Sequence, residues 1–466
     1  MKFPMTDYLR DYDVFPLVYP INQEVTIHIR PLGCIPAFAV GQEYSGVICA
    51  TDGGDAYQNP LSAEFAPFTA VCNDDGGFDI TYTFKSEQRY IICFYNDAGR
   101  RFRMFDVYAV EDDLIGRLPL RGDLHIHTYC SDAYQSPEVV CSMYRSYGYD
   151  FFGITDHHKY YPSLRALDFC KSIPTEFVTV PGEEVHLPDP NHEYAYPHIV
   201  NFGGLHSVNA MIKDKVYYEH GGAKEICSLN GDAPDAMTEE EFHALMTELE
   251  ADFDDAPANV GKHQLAVTHW VFEQIKKADG LAIFPHPYWM NGDAVHVPEA
   301  MTEYIMSKQK FDAFEVLSGE NYYECNGFQT VRYYEDKAKG RNYPIVGSTD
   351  THNAYPSNRN ALICSTLVFS PENERKALIN SIKDFYSVAI DTISEEFRLV
   401  GDSRLIRYAC FLLKNYFPRH DELCLEEGRL MKICATGTPD ERADAIKTLE
   451  VMDGRVRKLQ KKYFGF

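Results

Sequence analysis

Six segments of this chain join an apolar run to residues of the kind that bind metal ions, and this recurrence narrows the possible folds more than any single motif. Residues 151–155 run into Asp156, His157 and His158, and residues 177–182 into Glu183 and Glu184. His286 follows 281–285, while Asp350 and His352 follow 344–349. His198 opens the run 199–202, and His125 and His127 lie within 121–132. If 123–128 is a strand, its period of two sends both imidazoles to one face, close enough to share an ion. A lone pair of alternating histidines also arises by accident on half-buried strands, so the weight comes from the repetition.

From residue 119 onward the pattern alternates strand and helix. Ser136, Pro137 and Glu138 make a helix start, with a side-chain cap, a proline at the first helical position and an acid at the positive end; Gly148 ends that helix. Helices are expected over 163–170, 265–278 and 327–339, and strands over 177–185, 280–284, 311–317 and 344–348. About seven such units imply a barrel, where side chains at the carboxyl ends of parallel strands converge on one axis. Residues 203–262 interrupt the alternation with acidic, helix-prone sequence, which reads as an insertion capping the barrel mouth or as a solvated helical excursion. Residues 1–118 read as a β-sandwich-like domain, with Val25, Ile27 and Ile29 alternating with polar neighbours. Beyond about 370 the chain is expected to turn helical, and 396–466 to form a helical extension. The expected division is thus 1–118, 119–395 with its insertion, and 396–466.

The chain has 466 residues and a formal charge of −25, which disfavours nucleic acid and anionic membrane as partners. Its 13 cysteines include no C-x-x-C pair, fitting reduced thiols, and Cys130 reads as a small core residue. The first residues lack a signal-peptide pattern and no apolar run is long enough to span a bilayer, so a cytoplasmic location is expected.

The elements H-x-H-T-x-x-S-D (125–132), T-D-H-H (155–158), P-G-x-E (181–184), the isolated His198, P-H-P (285–287) and D-x-H (350–352) stand in an order that resembles the polymerase and histidinol phosphatase (PHP) superfamily of metallohydrolases. The resemblance covers roughly residues 121–392, and the flanks look like the carbaryl-hydrolase-like branch. It implies a distorted seven-stranded (β/α) TIM-like barrel holding two or three divalent ions. His125, His127, Glu184 and Asp350 would hold the first; Glu184, bridging, with His198 and His286 the second; Asp132, His157 and His352 the third. Some members carry His at position 132, and Asp132 would move the preference toward harder ions. Imidazole with carboxylate suits zinc, manganese or iron. In this picture His125, His127, Glu184 and Asp350 hold the nucleophilic, metal-bridging hydroxide.

Further candidates stand beside that set. Asp123 is expected either to orient an imidazole through its second nitrogen or to make a plain core hydrogen bond. His158, Lys159 and Tyr160 follow a ligand and include at most one substrate contact; Glu315 is a structural carboxylate or a general base; Arg359 and Arg404 are candidate phosphate binders. His186 and His192 lie near Glu184, whereas His296 has no motif partner. The expected activity is hydrolysis of a small phosphorylated molecule by a phosphoesterase. The alternatives are carbamate, ester or amide hydrolysis at the same centre, and a non-catalytic, metal-stabilised binding module. Nothing in the sequence announces an oligomer interface.

Overall fold

A computed structural model describes residues 11–33, 36–53, 65–187, 196–213, 216–218, 224–226, 233–291, 294–319, 322–355, 364–392 and 398–465. The chain is a mixed α/β protein with several sheets, and its contacts divide it into two compact units. The first comprises residues 1–118, 403–423 and 454–466, and the second residues 119–402 and 424–453. Among the described residues no helix is long and apolar enough to cross a membrane.

In the first unit, Tyr12–Phe15, Glu24–Pro31 and Phe78–Thr83 form an antiparallel three-stranded sheet. A five-stranded sheet runs in the order Val18–Pro20, Arg101–Val110, Gln88–Tyr95, Glu43–Ala50, Phe65–Val71. Rings from the two sheets meet where Phe78 packs on Phe94, centroids 4.6 Å apart, with Phe38 against both. The Ser403–Asn415 helix belongs to this unit. Its Arg404 donates to Glu87 and Asp113 at 2.8 Å each, so this guanidinium is held in a network of its own rather than presented to a phosphate.

The second unit holds a six-stranded sheet in the order Val178–Val180, Phe151–Gly153, Leu118–Asp123, Cys364–Ser370, Ser387–Asp391, Arg398–Val400. Its five-stranded sheet runs Gly182–Val185, Ile199–Phe202, Leu281–Phe284, Ala313–Leu317, Ile345–Gly347. The segment expected as one strand over 177–185 breaks at Pro181, which cannot donate to a ladder, and its halves lie in different sheets. The region beyond 370 is not simply helical, since Ser387–Asp391 and Arg398–Val400 extend the larger sheet.

One strand runs against the expected direction. Ile199–Phe202 is antiparallel to both Gly182–Val185 and Leu281–Phe284, whereas Leu281–Phe284, Ala313–Leu317 and Ile345–Gly347 are mutually parallel. Its start therefore lies at the rim where its neighbours end, which puts His198 on the same side as Glu184 and His286.

Helices cover the sheets with their apolar faces. Pro137–Ser146 starts as its sequence dictates: Ser136 Oγ accepts from Val139 N at 3.3 Å, and Gly148, at φ 85°, supplies the left-handed turn after it. The acidic insertion contributes Glu239–Leu249, capped reciprocally by Thr238 and Glu241. Its Phe242 and Met246 are buried, with Phe242 against Trp270 of the Lys262–Lys277 helix at 5.3 Å, so this part of the insertion is core rather than a solvated excursion.

Candidate metal centre

The ladder of the Leu118–Asp123 strand ends at Asp123, short of the expected 123–128, because side chains take over its hydrogen bonds. Asp123 accepts from His125 N at 3.2 Å and Thr349 N at 3.1 Å, and Thr155 Oγ1 accepts from Ile126 N at 3.0 Å. Beyond that point His127 N donates to Thr351 O at 3.0 Å and Asp350 N to His125 O at 2.9 Å. The backbone stays extended between two neighbours, so His125 and His127 still project to one side, around Ile126.

The other letters of the motifs are explained in the same way. Asp156 accepts from Thr128 N and Oγ1 at 2.8 and 2.7 Å and from Ser131 Oγ at 2.6 Å, which ties down the loop that carries Asp132. Gly182 is required by space, since a Cβ there would stand 2.9 Å from Ile154 O and 3.0 Å from Asn201 O. His286 and Asp350 adopt positive φ angles of 25° and 49°, and His286 does so between two prolines. Such backbone strain persists only where the surroundings enforce it, and it gathers at functional sites.

Glu184 lies at the centre, wholly buried. Its Oε2 is 2.6 Å from His157 Nδ1, 3.5 Å from both His125 Nε2 and His127 Nε2, and 3.6 Å from His186 Nε2. Its Oε1 is 2.7 Å from His198 Nδ1 and 3.6 Å from His286 Nε2. Asp350 stands opposite, with Oδ1 2.9 Å from His127 Nε2 and 3.2 Å from His125 Nε2, and Oδ2 3.8 Å from His286 Nε2. Toward the rim Asp132 Oδ2 lies 3.3 Å from His352 Nε2 and 3.5 Å from His157 Nε2. All nine sequence-selected residues thus join one connected cluster. Within it, His125, His127 and Glu184; Glu184, His198 and His286; and His127, Asp132, His157 and His352 each offer ligand atoms within 4.8 Å of one another.

Hydrogen bonds account for only part of this packing: His127 Nε2 with Asp350 Oδ1 and His157 Nδ1 with His186 Nε2, at 2.9 Å each. Neither Glu184 oxygen receives a well-aligned hydrogen bond, and His125 Nε2, His198 Nδ1 and His286 Nδ1 are buried without one. Burial opposes charge on Glu184, yet the imidazoles of His198, His157 and His125 outweigh it and hold the carboxyl well below the usual carboxylate range. A buried carboxylate facing several nitrogens that do not point hydrogens at it is a donor set that fits divalent cations of the zinc, manganese and iron kind.

Structural roles fall to most of the secondary candidates. Asp123 does not reach an imidazole; its Oδ2 accepts from Tyr144 Oη at 3.0 Å and Thr349 Oγ1 at 2.6 Å, so it holds backbone and hydroxyls. Glu315 is the carboxylate on a ring nitrogen, with Oε2 3.0 Å from His125 Nδ1. Lys159 is buried and donates to Cys130 O, and Tyr160 Oη donates to Gly204 O at 2.6 Å, so both are turned to structural acceptors. His158 remains at the cluster, its ring 4.6 Å from that of His186. Arg359 and His192 lie outside the described residues.

His186 and His296 enter the cluster without a motif. His186 Nε2 is 2.9 Å from His157 Nδ1, and its place two residues after Glu184, on the same face of an extended segment, was the available signal. His296 packs on His198 with ring centroids 4.1 Å apart and accepts from His198 N at 3.3 Å; nothing local in the sequence marks it.

No family model and no curated protein matches the chain. Among solved structures it is similar to a two-domain protein containing a predicted PHP-like metal-dependent phosphoesterase from Bacteroides vulgatus, at 16% identity and a TM-score of 0.40, over 64% of this chain and 71% of that one. It is also similar to an amidohydrolase from Chromobacterium violaceum with bound sulfate and no metal, at 16% identity and a TM-score of 0.30, over 50% of this chain and 87% of that one. Likenesses this loose decide neither fold nor activity, which rest on the chain's own geometry.

Proposed function

We propose that this chain is a metal-dependent hydrolase, a phosphoesterase acting on a small phosphorylated molecule. The observation that carries this reading is Glu184: wholly buried, without an aligned hydrogen bond on either oxygen, and surrounded by imidazole nitrogens of His125, His127, His157, His198 and His286. In the proposed assignment His125, His127, Glu184 and Asp350 hold a first divalent ion, Glu184, His198 and His286 a second, and Asp132, His157 and His352 a third. Bound cations at such a centre supply Lewis acidity and a water of lowered pKa. The chain's own part is positional. Asp156 fixes the loop of Asp132, Asp123 fixes the backbone at His125 and Thr349, and the positive-φ backbone at His286 and Asp350 goes with side chains that face Glu184 and His127.

The scaffold in this reading is a distorted seven-stranded barrel. Isolated parallel bridges support it: Ile126 pairs with Thr351 and His157 with Glu184, each linking a residue beyond a strand of the larger sheet to the smaller sheet.

The test is a set of initial rates on a chromogenic phosphate monoester, a phosphate diester and a carboxylic or carbamic ester. The protein is loaded in turn with manganese, iron or zinc and compared with His125→Ala. Turnover of a phosphate ester that the variant loses is the expected result. Activity confined to the carboxylic or carbamic ester would move the chain to the alternative hydrolase class, and full activity of the variant would sink the assignment.

A further inference from the structure

Glu315 lies in the middle of the Ala313–Leu317 strand, every residue of which is buried. The pairing of this strand with Ile345–Gly347 shifts register between Glu315 and Leu317, an irregularity of the kind that re-aims a side chain near a site. Its carboxylate contacts His125 on the nitrogen that faces away from Glu184 and Asp350: Oε2 is 3.0 Å from Nδ1, while His125 Nε2 lies 3.2 Å from Asp350 and 3.5 Å from Glu184. Both partners are 0% exposed, so water does not compete for the bond.

An imidazole has two nitrogens, and a neutral ring carries its proton on one of them. A carboxylate acceptor at Nδ1 keeps the proton there and leaves the Nε2 lone pair for a cation. His286 lacks such a carboxylate on its Nδ1. It presents Nε2 to Glu184 and Asp350, its Nδ1 is buried without a hydrogen bond, and it shares a 4.8 Å cluster with His125 and Glu315. The second Glu315 oxygen, Oε1, is likewise buried without a hydrogen bond.

From this arrangement we infer that Glu315 is a positioning residue of the metal centre: it is not a ligand, but it fixes His125 as the Nδ1-protonated tautomer with Nε2 aimed at the ion. The inference rests on the proposed metal-binding reading of the site. It assigns work to a carboxylate 190 residues away from its imidazole partner in sequence.

Zinc and manganese affinity and stoichiometry, measured by competition with a chromogenic chelator and by elemental analysis on the full chain, decide it. Glu315→Ala is expected to keep the number of bound ions but weaken binding by roughly 10- to 100-fold. Glu315→Gln, whose amide oxygen still accepts from Nδ1, is expected to stay within a few-fold of wild type. Circular dichroism checks that each variant is folded. Should the alanine variant not fold, the glutamine variant and the histidine nitrogen spectrum of the zinc-loaded wild type carry the test, with His125 identified by its absence in His125→Gln. A protonated Nδ1 and a ligating Nε2 on His125 support the inference, and the opposite tautomer overturns it. Equal affinity in both variants and wild type also overturns it, as does the loss of one whole ion equivalent in both, which would make Glu315 a ligand. Wild-type protein that binds no divalent ion would overturn the reading of the site, and this inference with it.

Discussion

Glu183 and Glu184 are neighbours on one short strand, yet their carboxylates face opposite sides and meet opposite surroundings. Glu183 accepts from Ser207 Oγ at 2.6 Å, Val208 N at 2.5 Å, Asn209 Nδ2 at 3.0 Å and Asn201 Nδ2 at 3.1 Å. Glu184 has no aligned donor on either oxygen. The period of two divides structural work from ligand work between adjacent residues of one chemistry. Under the proposed assignment Glu184→Gln should lose the ions assigned to this carboxylate while melting close to metal-free wild type. Glu183→Ala should keep its ion content when folded but lose at least about 3 kcal/mol of stability, because several buried donors lose their acceptor. Elemental analysis with urea denaturation of both variants distinguishes them, and equal ion loss in the two would refute the division.

Exposure ranks the proposed ion positions. Side chains of Asp132, His157 and His352 are 30%, 22% and 23% exposed, whereas those of His125, His127 and Glu184 are 0% exposed. The rim position should exchange first. Graded chelation is expected to release one equivalent ahead of the rest, and Asp132→Ala should lack that early phase while retaining the later ones. Removal of all ions should lower the melting temperature, since a ligand at 100 times its Kd stabilises the folded state by about 2.7 kcal/mol. A melting temperature indifferent to chelation would contradict a centre of this kind.

What the sequence made legible was the company these residues keep. His157, Glu184, His286 and Asp350 each follow an apolar run, and a strand end is where an α/β chain gathers polar side chains. Direction was not legible. Four residues, Ile199–Phe202, are too few to say which way a strand runs, and the antiparallel pairing follows from tertiary contacts. Nor was the exchange of roles between Asp123 and Glu315. Asp123 sits two residues from His125 and invited the orienting role, but its short side chain closes on the nearby backbone and on Thr349, whereas Glu315 reaches Nδ1 from a distant strand. His296 was hidden for the same reason, its partner His198 lying 98 residues away.

Arg145 is fully buried, with Glu427 as its nearer carboxylate at 2.7 Å and Asp150 Oδ1 3.6 Å from Nη1. Glu427 Oε2 accepts from Arg145 Nε and Nη2 at 2.9 and 2.7 Å, and Oε1 accepts from Glu176 N at 3.0 Å and from Thr175 Oγ1. Removing one partner of a buried pair costs about 3–5 kcal/mol, and without Glu427 the guanidinium keeps only Asp150 at 3.6 Å and Tyr149 O at 3.0 Å. Glu427→Ala should therefore be among the most destabilising single changes in residues 424–453, by denaturant titration, although it lies far in sequence from the ligand motifs. A loss below about 1 kcal/mol would show that the guanidinium finds other acceptors.

His269 offers a test of pH dependence that is independent of the metal centre. It packs against Phe253, centroids 4.9 Å apart, and its Nε2 is buried without a hydrogen bond. Burial first, then the charges of Lys310, Lys308 and Lys276, push its pKa down from 6.5 to about 4. A histidine that is harder to protonate folded than unfolded contributes stability that is present above 6.5 and lost as pH falls toward 4, because the unfolded chain takes up the proton first. Complete loss of that contribution corresponds to roughly 3 kcal/mol. His269→Gln cannot titrate, so between pH 7 and pH 4 it should lose less stability than wild type by about that amount. Every other titratable group is common to both proteins and cancels in the difference. Urea titrations at the two pH values measure it, and parallel losses in variant and wild type would show that His269 takes up its proton as easily folded as unfolded.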